Sequence, residues 1–151
     1  MNRQKIREIV KPAIRNFVAE NQKYLRGDVI DYGSGKEPYR QYCENYFPFE
    51  KGFELPKKKF DAVLCNQVMQ YVAFPQKTID LFHGILKDGG YLVMTYPTCW
   101  EEVEDCDLWR FTAKGMELLC ENFNIIKHEP LGAYEFADHK LVCDHGIVCQ
   151  K

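Results

Sequence analysis

Apolar residues recur at helical spacing near the start of the chain and predict an amphipathic helix over residues 4–24. Pro12 marks a point at which this helix kinks or restarts. The apolar positions that follow this spacing are Ile6, Ile9, Val10, Ala13, Ile14, Phe17 and Val18. Because Gly27 ends the pattern, we expect residues 1–26 to form a helical segment that packs on the domain that follows.

Beyond this helix, the hydrophobic pattern predicts strands that alternate with helices. The run FDAVLC at residues 60–65 is apolar almost throughout, which is typical of a strand buried on both faces of a parallel sheet. Pro48 cannot donate to a strand ladder and predicts that its strand lies at a sheet edge. The predicted strands cover residues 28–32, 46–50, 60–65, 91–96, 124–127 and 146–149.

Three further helices are predicted between these strands. A short crossover helix falls at residues 40–45, a second helix spans residues 75–87 and stops at Gly89 and Gly90, and a third is capped by Thr112. Alternating strands and helices indicate an α/β fold with an open, mostly parallel sheet and helices on both faces. Ligands bind such sheets beyond the carboxyl ends of the strands.

Composition narrows the class of protein. With 151 residues, of which 46% are hydrophobic, the chain fits a single domain over residues 1–151 and leaves no room for a second. No apolar run reaches about 18 residues, so we expect neither export nor contact with a membrane. An odd number of scattered cysteines favours reduced thiols and a cytoplasmic location. The net charge of −2 and the single short basic run at residues 57–59 argue against nucleic acid as a partner.

The segment VIDYGSGKEPY, residues 29–39, places two glycines directly after the first predicted strand. Glycine allows a sharp turn and the close approach of a ligand to the main chain. Gly33 and Gly35 therefore indicate a cradle for a small molecule at the carboxyl end of that strand.

Four segments in order resemble the class I S-adenosylmethionine-dependent methyltransferases, in particular the small-molecule branch with a DxGSGxxPY first motif. They are VIDYGSGKEPY, FDAVLCNQVMQYV from Phe60, ILKDGGYLVMTYP from Ile85 and DLWRFT from Asp107. The resemblance spans residues 25–130. It implies a Rossmann-like fold, S-adenosylmethionine as cofactor and S-adenosylhomocysteine as its product.

The resemblance also implies which residues hold this cofactor. Main-chain N–H groups of the loop with Gly33 and Gly35 face the methionine carboxylate, and Asp31 faces the amino group, directly or through water. Glu50 lies about 20 positions after Asp31, where relatives have an acid that binds both ribose hydroxyls. Glu54 is the competing choice. Asn66 and Gln67 border the methionine end and the transferred methyl group.

The chain departs from its relatives between Glu50 and Phe60. A crossover needs about a dozen residues, and only residues 51–59 are available here. We therefore expect the usual third strand and its preceding helix to be missing. The segment GFELP resembles the loop that covers adenine in relatives, so Glu54 and Leu55 are assigned to adenine from this shortened connection.

Acceptor binding is assigned by resemblance to four residues. Tyr71 stands where many relatives have a histidine, and Asp107, Trp109 and Arg110 lie in a segment that covers the crevice in relatives. The alternative is that Arg110 simply pairs with Asp107 while Trp109 packs under the loop. No catalytic residue is identified, and a metal site is not expected, because the spacing of His139, Cys143, His145 and Cys149 matches no common zinc pattern.

The four motifs, together with the missing helix and strand, leave two candidate functions. The first is a methyltransferase that acts on a small-molecule or sugar-like acceptor. The alternative is a degenerate, catalytically inactive relative that serves as a binding or interaction module, since the chain lacks a helix, a strand and the usual histidine. A homodimer through Phe47 and Phe49 on the edge strand would supply the missing wall of the pocket.

Overall fold

The computed structural model describes residues 3–102, 105–136 and 139–151, excluding the side chains of residues 3–7, 134, 136 and 139. The helices in these ranges are α1 (Arg3–Glu20), α2 (Pro75–Ile85) and α3 (Ala113–Leu119). The strands are β1 (Asp28–Tyr32), β2 (Asn45–Phe49), β3 (Phe60–Asn66), β4 (Leu86–Pro97), β5 (Asn124–Phe136) and β6 (His139–Gln150). Short 3₁₀ turns occur at Gln22–Tyr24, Arg40–Tyr42 and Met69–Tyr71.

One sheet of six strands, in the order β2-β1-β3-β4-β6-β5, forms the centre of the fold. β1 pairs in parallel with β2 and β3, and β3 pairs in parallel with β4. β6 runs antiparallel to both of its neighbours, β4 and β5. The prediction of an open, mostly parallel sheet is confirmed, and the carboxyl ends of β1, β2 and β3 meet along one edge.

Helices cover both faces of this sheet, as predicted. On one face, α1 continues through Pro12 and packs mainly against β5 and β6, and its apolar stripe joins a cluster that reaches the central strands. This cluster includes Val10, Ile14, Phe17, Val29, Leu64 and Val93. On the other face, α2 and α3 pack against the same strands, with Thr112 capping α3 through a hydrogen bond from Gly115 N–H. That cluster includes Ile30, Val63, Ile79, Phe82, Met94 and Met116.

Three element predictions need correction. Residues 40–45 form only the 3₁₀ turn Arg40–Tyr42, because the chain returns to the sheet at Asn45. Helix α2 ends at Ile85 and Leu86 already belongs to β4, so Gly89 and Gly90 lie in a strand. A Cβ at Gly90 would lie 2.9 Å from the Asp61 carbonyl oxygen, so close backbone approach explains that glycine. β5 and β6 are much longer than predicted, because they form an antiparallel ladder that tolerates Pro130 and Gly132.

The connection between β2 and β3 is short. Residues 50–59 contain neither helix nor strand, and β2 forms the edge of the sheet, in agreement with the expected loss of a strand. Phe47 and Phe49 are partly buried: Phe47 packs edge-on against Phe60, and Phe49 stacks on Tyr32 at 4.9 Å between ring centroids. The aromatic surface that favoured a homodimer is thus largely covered from within the chain.

The contact between α1 and β6 predicts a steric effect at Gly146. A Cβ at this position would lie 2.6 Å from the ring of Phe17, which is itself buried. Because overpacking a dense core costs about 1–3 kcal/mol, we expect Gly146→Ala to lower the free energy of unfolding by that amount in urea denaturation. Gly84→Ala is the matched control: nothing lies within 4 Å of its Cβ, and alanine favours the helix there by roughly 0.5–1 kcal/mol. Equal stability of the two variants would contradict this packing.

Candidate functional site

The glycine loop after β1 lies against the ends of two neighbouring strands. Gly33 has φ +84° and donates its N–H to the carbonyl oxygen of Phe49 at 2.8 Å. A Cβ at Gly33 would lie 2.4 Å from Cγ2 of Val68. Gly35 also has a positive φ, of +53°, but nothing lies within 4 Å of its Cβ position. The first glycine is thus fixed by contact with the loop after β3, whereas the second has open space at its Cβ position.

Glu50, immediately after β2, is turned toward this loop. Its Oε1 accepts hydrogen bonds from the Ser34 hydroxyl at 2.9 Å and from the N–H of Gly35. The carboxylate therefore sits beside the glycine loop rather than in bulk solvent. A carboxylate in this place is able to accept hydrogen bonds from two hydroxyl groups of a ligand in addition to those from the glycine loop.

A cleft of about 950 Å³ opens at this edge of the sheet. Its walls are the glycine loop, the end of β2, the loop after β3, the first turns of α2 and residues 105–108. It brings together six residues that the sequence assigned to a ligand: Gly33, Gly35, Glu50, Asn66, Gln67 and Tyr71. Phe74, which is 64% exposed, and Leu108 also line it, and sequence reasoning missed both because they lie in irregular segments without periodicity.

Asp31 lies at the end of β1 but beneath the cleft. It is 1% exposed, and one of its carboxylate oxygens accepts a hydrogen bond from the Tyr46 hydroxyl at 2.7 Å. Burial raises the pKa of Asp31 to about 6, against the lowering effect of that hydrogen bond, and the charges of Glu50 and Glu37 raise it further. Its predicted contact with the cofactor amino group stays a prediction.

The raised pKa of Asp31 gives the stability of the protein a pH dependence. Between its ordinary pKa of 3.8 and about 6, the folded chain retains a proton that the unfolded chain releases, so this carboxyl lowers stability progressively as the pH rises. At about 1.4 kcal/mol per pKa unit, we expect Asp31→Asn to gain about 2–3 kcal/mol over the wild type between pH 4 and pH 7. Urea denaturation at several pH values measures this difference. A difference that stays constant over this range would contradict the burial of a charged Asp31.

Glu54 and Leu55 lie away from the cleft wall. Glu54 is exposed, whereas Leu55 packs against the core and lines a separate cavity beside residues 56–59. The structure does not bring these two residues together with Gly33, Gly35 and Glu50 around the large cleft. Their predicted contact with adenine stays a prediction.

The loop after β3 is held by hydrogen bonds to β4. Asn66 Oδ1 accepts a hydrogen bond from the Thr95 hydroxyl, and the N–H of Gln67 donates to the Thr95 carbonyl oxygen at 3.0 Å. Gln67 has φ +57°, a conformation that residues other than glycine seldom adopt. Thr95 thus fixes two of the predicted site residues at the mouth of the cleft.

A second pocket, of about 280 Å³, adjoins the large cleft. Gln67 and Tyr71 line both cavities, so the two meet at these side chains. The remaining wall of the smaller pocket comes from α1, the end of β4 and the segment before α3. It includes Gln70, Trp100, Asp107 and Arg110, of which Gln70 and Trp100 were not predicted from the sequence.

Arg110 is fully engaged within the chain. Its guanidinium donates to both carboxylate oxygens of the buried Asp107, at 2.6 and 2.7 Å, and to the main-chain carbonyls of Trp100 and Glu101. This pair raises the pKa of Arg110. Trp109 is 41% exposed, donates to the Val72 carbonyl oxygen at 2.8 Å and lines neither cavity. Arg110 and Asp107 thus pair as the alternative interpretation expected, whereas Trp109 does not pack under the loop.

The histidines lie outside both cavity walls in the described part of the chain. His128 bridges the Tyr96 hydroxyl and Glu117, and His145 contacts the Thr98 hydroxyl at 2.7 Å. The side chain of His139 falls outside the described residues. Over the described ranges, no three His, Cys, Asp or Glu side chains are grouped as metal ligands. Among the helices described, none is both long and apolar enough to cross a membrane.

Comparisons with known proteins find one family and many structures. The family model of a methyltransferase domain matches residues 1–124. Among curated proteins, no sequence matches this chain. An S-adenosylmethionine-dependent methyltransferase from Thermotoga maritima shares 14% identity with a TM-score of 0.64, over 97% of this chain and 91% of that one.

Two further solved structures have a similar fold. The 1,6-didemethyltoxoflavin-N1-methyltransferase of Burkholderia thailandensis, with 1,6-didemethyltoxoflavin and S-adenosylhomocysteine bound, shares 13% identity with a TM-score of 0.68, over 92% of this chain and 78% of that one. The (4+2)-cyclase SpnF shares 14% identity with a TM-score of 0.67, over 93% of this chain and 81% of that one. At such identities the likeness concerns the fold alone.

Proposed function

The chain belongs to the methyltransferase domain family, and we propose that it transfers a methyl group from S-adenosylmethionine to a small-molecule or sugar-like acceptor. One observation carries the proposal: a cleft of about 950 Å³ at the carboxyl ends of β1, β2 and β3 joins a pocket of about 280 Å³ at Gln67 and Tyr71. Small-molecule binding pockets in proteins generally have volumes of about 300–1,000 Å³. The larger cavity therefore suits the cofactor and the smaller one a compact acceptor.

The residues around the larger cleft fit this cofactor. Nothing lies within 4 Å of the Cβ position of Gly35, so a ligand can approach the main chain of the glycine loop closely, while the N–H groups of Gly33 and Gly35 are held by Phe49 and Glu50. Glu50 accepts both ribose hydroxyls, for which a carboxylate with two oxygens is suited. The carboxylate of Asp31, directly below the loop, attracts the positively charged amino group of the cofactor. The exposed ring of Phe74 supplies an apolar surface for adenine in a site that lacks the usual covering strand.

The cofactor supplies a sulfonium methyl group, which needs no activation by a metal. The contribution of the chain is to orient the acceptor and to exclude water from the junction of the two cavities. Asn66 and Gln67 are held there through Thr95, and Tyr71 lines both cavities where they meet. This arrangement requires no general base when the accepting atom is a neutral amine nitrogen, whereas a hydroxyl acceptor has to lose its proton to a base or to water.

The alternative function is an interaction module without catalysis. It is favoured by the connection at residues 50–59, which leaves Phe53 64% exposed beside the adenine side of the cleft. SpnF, a cyclase, has a similar fold, and one fold supports many functions. A homodimer and a cytoplasmic location also belong to our proposal, although Phe47 and Phe49 pack mainly against aromatic rings of the same chain. The odd number and scattered positions of the seven cysteines support a reducing compartment.

Transfer of a labelled methyl group tests the proposal. S-adenosylmethionine with a tritiated methyl group is incubated with the protein and fractions of a small-molecule extract of the source cells. We expect the label to move into a small-molecule fraction with the wild type and not with Glu50→Ala. If the protein binds the cofactor but labels only macromolecules, the assigned acceptor class is wrong. If it neither binds nor consumes the cofactor, the interaction module is the better account.

A further inference from the structure

The wall of the smaller pocket contains one buried polar atom that lacks a partner among the described residues, and a second such atom lies behind that wall. Over the described residues, two buried side-chain atoms have no hydrogen-bond partner: Oε1 of Gln70 and Oδ1 of Asp144. Gln70 is 6% exposed, lines the pocket and uses its amide N–H only toward the Gln67 carbonyl oxygen, at 3.0 Å. Leaving a buried acceptor unpaired costs about 1–3 kcal/mol. Oε1 of Gln70 is an acceptor, so a ligand in the pocket that pairs with it must donate a hydrogen bond.

Asp144 lies behind the wall of this pocket. It is fully buried on β6, and its other carboxylate oxygen accepts a hydrogen bond from the indole N–H of Trp100 at 3.0 Å. Burial raises the pKa of Asp144 to about 6, against the lowering effects of hydrogen bonds from the Trp100 and Gln67 side chains and of the nearby Arg110 charge. At neutral pH most Asp144 carboxyl groups therefore carry a negative charge in the wall between β4 and β6.

No cation of the described chain forms an ion pair with this charge. Arg110 lies nearby, but its guanidinium is saturated by Asp107 and by main-chain carbonyls. Lys11 reaches the pocket from α1 and is exposed at its rim, where solvent screens its charge. A buried charge without a counter-ion is unfavourable, and a bound cation relieves that cost.

We propose that the pocket lined by Gln67, Gln70, Tyr71 and Trp100 binds a small amine, with Gln70 accepting an N–H and Asp144 supplying the compensating negative charge. This inference rests on the proposed function, because it makes the amine the methyl acceptor. The aromatic rings of Tyr71 and Trp100 suit a cation, since their faces carry negative potential. Asp144 is a positioning residue here, since it acts from behind Trp100.

Methyl transfer in this arrangement needs only the amine, the cofactor and water. The bound ammonium loses one proton to water at the open end of the pocket, and the nitrogen lone pair then attacks the methyl carbon. The new N–C bond forms while the S–C bond breaks, and its electron pair stays on sulfur as S-adenosylhomocysteine. A hydroxyl acceptor of the same size lacks the positive charge and gains nothing from Asp144.

Matched amine and alcohol probes test this inference. Phenethylamine with 2-phenylethanol, and butylamine with 1-butanol, are titrated into the protein with and without saturating S-adenosylhomocysteine, and binding is followed by protein-observed NMR. We expect the wild type to bind each amine at least 10-fold more tightly than its alcohol. We expect Asp144→Asn to reduce this ratio below 3-fold without changing its affinity for S-adenosylhomocysteine. Asp88→Asn, an exposed acid at the other end of the sheet, is the matched control and keeps the ratio.

Each outcome of this experiment is decisive. Equal binding of amine and alcohol, no binding of either probe up to 20 mM, or an unchanged ratio in Asp144→Asn would each overturn the inference. If Asp144→Asn does not fold, Gln70→Met decides, because loss of its acceptor oxygen is expected to weaken amine binding at least 3-fold. A protein that prefers amines but does not bind S-adenosylhomocysteine would retain the amine site and refute the proposed function instead.

Discussion

Replacing Glu50 by alanine is expected to weaken the binding of S-adenosylmethionine about 10- to 150-fold. The reason is that Glu50 carries out two tasks: it accepts hydrogen bonds from Ser34 and Gly35 in the glycine loop, and its carboxylate offers oxygens to the ribose hydroxyls. Hydrogen bonds to a charged group contribute about 1.5–3 kcal/mol, and every 1.4 kcal/mol is about tenfold in affinity. Isothermal titration calorimetry of the variant measures this change directly.

The control for this variant is Asp88→Ala. Asp88 has a fully exposed side chain and lies at the opposite end of the sheet, so its removal should leave cofactor affinity unchanged. Glu50→Gln separates the two tasks, because the amide oxygen still accepts from the glycine loop but the charge is lost. Wild-type affinity in Glu50→Ala, together with lost affinity in Glu54→Ala, would show that the competing acid binds the ribose.

Gly33→Ala is expected to cause the largest loss of stability among changes in the cleft. A non-glycine residue at φ +84° costs about 1–2 kcal/mol, and the added Cβ would lie 2.4 Å from Cγ2 of Val68. Val68 has a branched side chain that is stiff about χ1, so it yields little. Overpacking adds about 1–3 kcal/mol, which gives a total of about 2–5 kcal/mol in urea denaturation. Cofactor binding should be lost as well, because the loop can relieve the clash only by moving into the cleft.

Comparing Gly35→Ala with Gly33→Ala isolates the effect of the clash with Val68. The φ of +53° at Gly35 carries a similar backbone cost, but nothing lies within 4 Å of the added Cβ. We therefore expect a loss of only about 1–2 kcal/mol in this variant. If both alanine variants were equally stable, contact between the glycine loop and Val68 would not be what requires glycine at position 33.

Most of the sheet was predictable from sequence because its strands are buried on both faces. FDAVLC gives an apolar run for β3, and VIDY with its following glycines marks β1, so both appeared at nearly the observed residues. The family resemblance drawn from four segments is confirmed by the family match over residues 1–124. β5 and β6 were predicted too short, because their pairing with each other compensates for Pro130, Gly132 and Gly146, and a local pattern does not contain that pairing.

The candidate site was predictable only where a motif fixes the backbone. Gly33 and Gly35 follow a strand in a recognisable motif, and Asn66 and Gln67 end the next buried strand, so their place at the cleft followed from order along the chain. Gln70, Trp100 and Asp144 are brought together by tertiary packing of β6 against β4, and no spacing in the sequence relates them. The single acid in the apolar stretch LVCDHGIVC is the only sequence signal that pointed to Asp144.

Calorimetric titration of the wild-type protein with S-adenosylmethionine and S-adenosylhomocysteine tests the central claim most directly. The claim is that the glycine loop and Glu50 still form a cofactor site although residues 50–59 provide no helix or strand. We predict binding of one molecule of either ligand per chain with micromolar dissociation constants. Absence of binding up to millimolar ligand, in a sample that unfolds cooperatively, would contradict the claim and favour the interaction module.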